Sequence, residues 1–411
     1  MSAPARAGSV PATTLGERLG AATAGLPGPL VVVDVGALDA NAADLVRRAG
    51  GVPIRVASKS VRVRWVLDRV LARPGFVGIM AYSLREALWL VSHGARDVLV
   101  GYPTVDAGAL AQLGADPVAA AAITVMADDA AHVALAARAA DSGGHPLRVC
   151  LDVDASLRVG VGRYALHLGV RRSPVHSWAQ AAALAELAAA TDGVAVRGVM
   201  FYEAQVAGLP DAGLGVRLVK RASIADLARR RRQVVDAVQQ AIGGGLELVN
   251  SGGSGSVEST VSDPVVTEAT AGSGLFVPGL FDGYRSFEPR PAAYFGLDVV
   301  RRPAPGYVTA FGGGYIASGP ATRSRQPRPV DPRLRLTTRE GAGEVQTPLR
   351  VARDGHEGRD GRDGPRIGDR VWLRHAKAGE VMERFNEVHL VTGDRLADTV
   401  PTYRGEGQNF G

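Results

Sequence analysis

Cysteine is almost absent: Cys150 is the single one in 411 residues. One thiol can build neither an intramolecular disulfide framework nor a thiolate metal cluster, and such a chain suits a reducing cytoplasm. Missing as well is any uninterrupted apolar stretch of about 18 residues, the length a membrane-spanning helix needs. The opening stretch, MSAPARAGSVPATT, lacks the apolar core of a signal peptide. Neither secretion nor membrane insertion is therefore expected. Long basic runs and basic segments interleaved with aromatics are lacking too, so the formal charge of +6 reads as surface bias without a nucleic-acid footprint. It suits a small anionic ligand.

What is present is an ordinary globular balance, 46% hydrophobic and 21% charged. The length accommodates a (β/α)8 barrel of about 250 residues followed by a domain of about 100 to 150. From residue 30 onward, short β-branched runs alternate with alanine-rich stretches of helical character, the signature of repeated βα units and a parallel sheet. Strands are expected at Leu30–Val35, Ile54–Ser58, Val77–Ala81, Val98–Gly101, Ile123–Met126, Leu147–Val153, Gly198–Tyr202 and Leu246–Asn250. Counting the first, these make a closed barrel, and strands buried on both faces read as continuous apolar runs. After about residue 290 the texture turns proline-rich and β-prone, as in Gly306–Phe311, Asp369–Leu373 and Asn386–Val391. The expected fold is thus α/β: a barrel over 28–288 and a smaller, mostly β C-terminal domain over 289–411. Residues 1–27 are expected to pack on the β domain, and a mobile loop is expected near 353–368.

Lys59 stands directly after a buried-looking strand, where a barrel presents side chains to its active-site face. A desolvated amine there is a candidate Schiff-base nucleophile; a lysine that only snorkels out of the barrel end is the alternative. Asn250–Ser256 is a glycine-serine turn flush against another strand. Its amides and hydroxyls suit a phosphate, as loops late in such barrels often do. A further glycine turn in Glu268–Phe276 closes over the same phosphate or leads into the next domain.

The order Lys59, Arg158, Tyr202, Ser251–Ser256 and the Gly272 turn resembles the alanine-racemase-fold enzymes that use pyridoxal 5'-phosphate (PLP), within them the D-threonine aldolases and D-serine dehydratases. The resemblance covers about 28–285, and Arg374–Glu380 looks like that family's metal-binding segment. It implies Lys59 as the PLP lysine and a base at the substrate α-carbon, Arg158 (with Arg163 as fallback) at the ring oxygen, and Tyr202 in the pocket. It also implies Ser251, Gly252, Gly253, Ser254 and Gly272 around the phosphate, and a homodimer. One departure concerns the metal. The family follows its histidine with a cysteine or aspartate two residues later, whereas His375 is followed by Lys377. An ammonium has no lone pair, so no metal ligands are assigned and the relatives' divalent metal is in doubt. His375 and Lys377 are instead expected as catalytic residues, Lys377 offering its charge in place of the metal. The implied function is a lyase acting on β-hydroxy D-amino acids; an amino-acid racemase and a non-catalytic PLP carrier stay open.

Overall fold

The computed structural model describes residues 14–160, 166–209, 213–284, 288, 290–320, 322–352 and 364–411. They divide into two units: 37–292 with 377–386 and 401–411, and the described residues up to Gly36 with 293–376 and 387–400.

In the first unit, eight strands among the described residues run parallel and close into a barrel. Their order is Leu248–Ser251, Glu268–Ala271, Ile54–Ala57, Phe76–Ala81, Val98–Pro103, Ile123–Ala127, Leu147–Val153 and Val194–Phe201. Side chains alternate along a strand, so every second residue enters the barrel. Near the strand starts that inward set is ionic. Buried Arg55 donates to Glu268 at 2.5 Å and to Asp97 at 2.8 Å, and Arg197 donates to Asp97 at 2.8 Å. One step on, the set is apolar: Leu99, Met126, Cys150, Met200 and Leu248 pack with Met80. One step further it is Asp128, Asp152 and Tyr202, at the strand ends where barrel enzymes carry their chemistry.

The expected count of eight holds, but one of its members needs correction. Leu30–Asp34 is not a barrel strand; it pairs antiparallel with Ala293–Ala304 and parallel with Glu387–Thr392 in the other unit. Its place in the barrel belongs to Glu268–Ala271, a segment expected only as a turn. Both differences have a cause. An apolar run buried on both faces carries no period that tells which sheet it joins. Glu268–Ala271 reads as polar because Glu268 reaches inward to Arg55 and Thr270 donates to Asn250 at 3.0 Å.

The second unit is a largely antiparallel sheet built on the long strand Ala293–Ala304, which pairs with Leu30–Asp34, Tyr307–Phe311 and Arg370–Arg374. Helix Leu15–Ala22 starts at a Thr14/Glu17 capping box and buries Leu19 in a cluster with Tyr294 and Trp372. The boundaries differ from the expected 28–288 and 289–411, since 377–386 and 401–411 return to the barrel unit. In the barrel unit, the Tyr403 amide donates to Arg62 O at 3.0 Å, and its ring meets Trp89 edge-on at 4.9 Å. Of the expected mobile loop, residues 353–363 lie outside the described residues. No described helix is long and apolar enough to cross a membrane.

Candidate active site

The sequence contains three lysines, Lys59, Lys220 and Lys377. Lys220 lies 5.2 Å from the Tyr284 ring centroid, and Lys377 pairs with Glu380 at 3.3 Å. Lys59 occupies the short turn Ser58–Ser60, directly after strand Ile54–Ala57. Its ammonium donates a hydrogen bond to the Tyr102 hydroxyl, at the end of Val98–Pro103. The Arg172 guanidinium lies between two rings, 5.7 Å from the Tyr102 centroid and 5.2 Å from the Tyr202 centroid. These three residues line a cavity of about 250 Å³ with Asp128, Asp152 and Asp154 in its wall.

The cavity separates charge states. Burial raises the Asp152 carboxyl to about 7, with Asp128 adding to the rise and Arg172 opposing it. Burial also raises Asp128, against the pull of His132, whose Nδ1 is 3.1 Å away. Burial opposes ionisation of Tyr102 as well, but Lys59 and Arg172 outweigh it and hold the phenol below its ordinary value.

Behind the lysine turn, Glu86 is fully buried and accepts the Tyr82 amide at 2.7 Å. Burial raises its pKa from 4.5 to about 7, despite Ser58, the Tyr82 amide, Tyr403 and Arg62. A carboxyl whose folded-state pKa exceeds its unfolded value binds more protons when folded, so its contribution to stability is lost as pH rises between the two values. Between pH 5 and pH 8 this group should weaken the wild type by about 3 kcal/mol. Glu86→Gln should fall by about that much less in urea unfolding, the remaining loss coming from groups such as Asp152. An equal fall in both proteins would show that Glu86 does not titrate in that window.

The glycine-serine loop meets the lysine turn from the other side. Ser254 Oγ accepts the Gly272 amide at 3.1 Å and the Gly274 amide at 2.9 Å, which leaves its own proton to donate. A Cβ on Gly272 would stand 2.6 Å from Ala57 O and 2.9 Å from Ser60 Cβ. One on Gly253 would stand 2.8 Å from Ala207 Cβ and 3.7 Å from the Tyr202 ring. Glycine is thus required by space at both positions, and the loop, Tyr202 and the lysine turn share one surface. Ser251 and Gly252 are committed elsewhere: the hydroxyl and the amide donate to buried Glu203 at 2.8 and 3.1 Å, and Thr260 donates to the same carboxylate at 2.5 Å. The Gly253 amide donates to Ser256 Oγ at 3.1 Å.

Lys59, Tyr202, Gly253, Ser254 and Gly272 are therefore brought together, and three other expected residues have different surroundings. Arg158 pairs with Asp154 at 2.7 Å on a ribbon of Leu157–Val159 and Leu166–Leu168; the arginine against the tyrosines is Arg172. Its fallback Arg163 lies outside the described residues. His375 is buried in the β unit with Nδ1 3.3 Å from Ala293 O. Lys377 begins a segment of the barrel unit in which Gly379 packs on the Ser60 and Val61 backbone. Among the described residues, no group of three or more His, Cys, Asp or Glu side chains is placed to hold a metal ion. The expectations miss Tyr102, Arg172, Asp128, Asp152 and Glu203. For Asp128 and Asp152 the signal is the two-residue period running on from Met126 and Cys150.

No protein-family model and no curated protein matches the chain. Solved structures do. The D-threonine aldolase of Filomicrobium marinum is 20% identical with a TM-score of 0.77, over 92% of this chain and 96% of that one. The D-threo-3-hydroxyaspartate dehydratase of Delftia sp. HT23 is 21% identical with a TM-score of 0.72, over 92% and 98%. An alanine racemase of Clostridium difficile 630 is 12% identical with a TM-score of 0.60, over 92% and 99%. With its closed parallel barrel and its largely antiparallel second unit, the chain has the alanine-racemase fold.

Proposed function

We propose that the chain is a PLP-dependent lyase acting on β-hydroxy D-amino acids, by retro-aldol cleavage or by dehydration and deamination. The observation that carries this reading is Lys59 at a barrel-strand end, bonded to Tyr102, with the Ser254–Gly272 contact packed on its own turn. The residues fit the cofactor. Ser254 has a proton to give, which suits a phosphate, while Gly253 and Gly272 let their turns pack closely against Ala207 and the lysine turn. Lys59 suits the aldehyde, and Arg172 with Tyr102 suits the ring oxygen.

When bound, PLP supplies an electron sink for the bond broken at the substrate α-carbon. The protein supplies position and protons. Lys59 holds the cofactor and moves the proton at the α-carbon. Arg172, held between two aromatic rings, fixes orientation and narrows the cavity to water. Asp152, protonated up to about neutrality, is the carboxyl suited to hand a proton to a departing hydroxyl. Lys377, paired with Glu380, is a second candidate cation for the substrate hydroxyl. The fold neighbours named D-threonine aldolase and D-threo-3-hydroxyaspartate dehydratase support the substrate class. A racemase needs a second base on the opposite face, and Tyr102 does not fill that role because it is bonded to Lys59 itself. A cytoplasmic homodimer is part of the same reading.

The test is product analysis with PLP-loaded protein and a panel of D- and L-β-hydroxy amino acids. The expected result is consumption of D-isomers, giving glycine plus an aldehyde, or a 2-oxo acid plus ammonia. Formation of the mirror-image amino acid with neither product set would overturn the lyase reading.

A further inference from the structure

A protonated amine has no lone pair and cannot attack a carbonyl, so a nucleophilic lysine needs a group to take its proton. The group bonded to the Lys59 ammonium is the Tyr102 phenol. We infer that Tyr102 is the proton partner of Lys59: its phenolate takes the ammonium's proton to free the amine, and its phenol returns that proton when the amine is released. This deepens the reading of Lys59 above and rests on it for its purpose. The step balances within the pair. An N–H bond of Lys59 breaks, an O–H bond forms on Tyr102, and the pair passes from ammonium and phenolate to amine and phenol with zero net charge throughout.

The surroundings favour the phenolate that must be present to accept the proton. Lys59 faces the phenol from the turn after Ile54–Ala57, and Arg172 faces it from the segment after Leu166–Leu168. Across the cavity stand Asp128, Asp152, Asp154 and Tyr202. Asp154 is neutralised by Arg158 at 2.7 Å, and burial keeps a proton on Asp152 up to about 7. The two cations therefore dominate at the hydroxyl, and they lower the phenol from 10.0 although burial alone would raise it. Tyr202 shares the Arg172 guanidinium, but the lysine's bond goes to Tyr102.

The decisive experiment needs no cofactor: titrate the phenolate absorbance of the apoprotein for wild type, Tyr102→Phe, Tyr202→Phe and Lys59→Met. One of the nine tyrosines should ionise below the others in wild type. That early phase should vanish in Tyr102→Phe, persist in Tyr202→Phe and move upward in Lys59→Met. A wild type without the phase, or a Tyr102→Phe protein that keeps it, overturns the inference. With PLP as probe, covalent attachment at pH 7 should be about 10²-fold slower in Tyr102→Phe. The gap should close toward pH 10, where a free lysine loses its proton unaided. A purely structural role would slow attachment equally at every pH, and that result also counts against the proton transfer. Should PLP attach to no lysine while the early phase still belongs to Tyr102, the cofactor reading fails and the proton pairing stands.

Discussion

Lys59→Ala should reduce turnover by about 10⁴-fold or more, since it removes both the covalent hold on the cofactor and the base at the α-carbon. The fold should survive. Lys59 lies in a three-residue turn at a strand end, and its bond to Tyr102 is the side-chain contact it gives up. A change of this kind moves the thermal midpoint by about 2 °C or less. The pairing of lost activity with unchanged melting separates a chemical role from a packing one. Activity within tenfold of wild type would remove Lys59 from the mechanism.

Gly272→Val tests the other wall of the site. Its first side-chain atom would meet backbone, Ala57 O at 2.6 Å, just before the turn that carries Lys59, and Ser60 Cβ at 2.9 Å, at that turn's end. Backbone cannot rotate away as a long side chain can, so the turn must shift. Overpacking of this kind costs about 1 to 3 kcal/mol. The same displacement should weaken PLP binding by about 10- to 100-fold. Gly215→Ala is the control, because a Cβ there meets nothing within 4 Å. Wild-type PLP affinity and melting in Gly272→Val would show that the turn and the glycine loop are not one unit.

Much of this site is legible along the chain, and the illegible parts have physical causes. Lys59 stands out because a lysine closing a buried apolar strand conflicts with the burial of its neighbours, and the glycine-serine loop stands out by lying flush against a strand. Arg172 is hidden by the ribbon of Leu157–Val159 and Leu166–Leu168, which stands between Asp154 and the arginine that meets the tyrosines. Attention therefore falls on Arg158, whose partner is Asp154. Glu203 is hidden because its role is to collect donors from Ser251, Gly252 and Thr260, which lie 48 to 57 residues away. Non-local pairing also explains the fold-level differences. Leu30–Asp34 finds its partners at 293–296 and 389–391. Glu406 reaches Arg64 from 342 residues away, returning the end of the chain to the barrel unit.

One bond, between PLP and Lys59, carries the proposed function. The apoprotein is incubated with PLP, reduced with borohydride, digested and mapped by mass spectrometry. With three lysines in the sequence, the readout is unambiguous. The reduced cofactor is expected on the peptide containing Lys59, and none on those containing Lys220 or Lys377. Cofactor fixed on either of those two, or on no lysine, would contradict the proposed function.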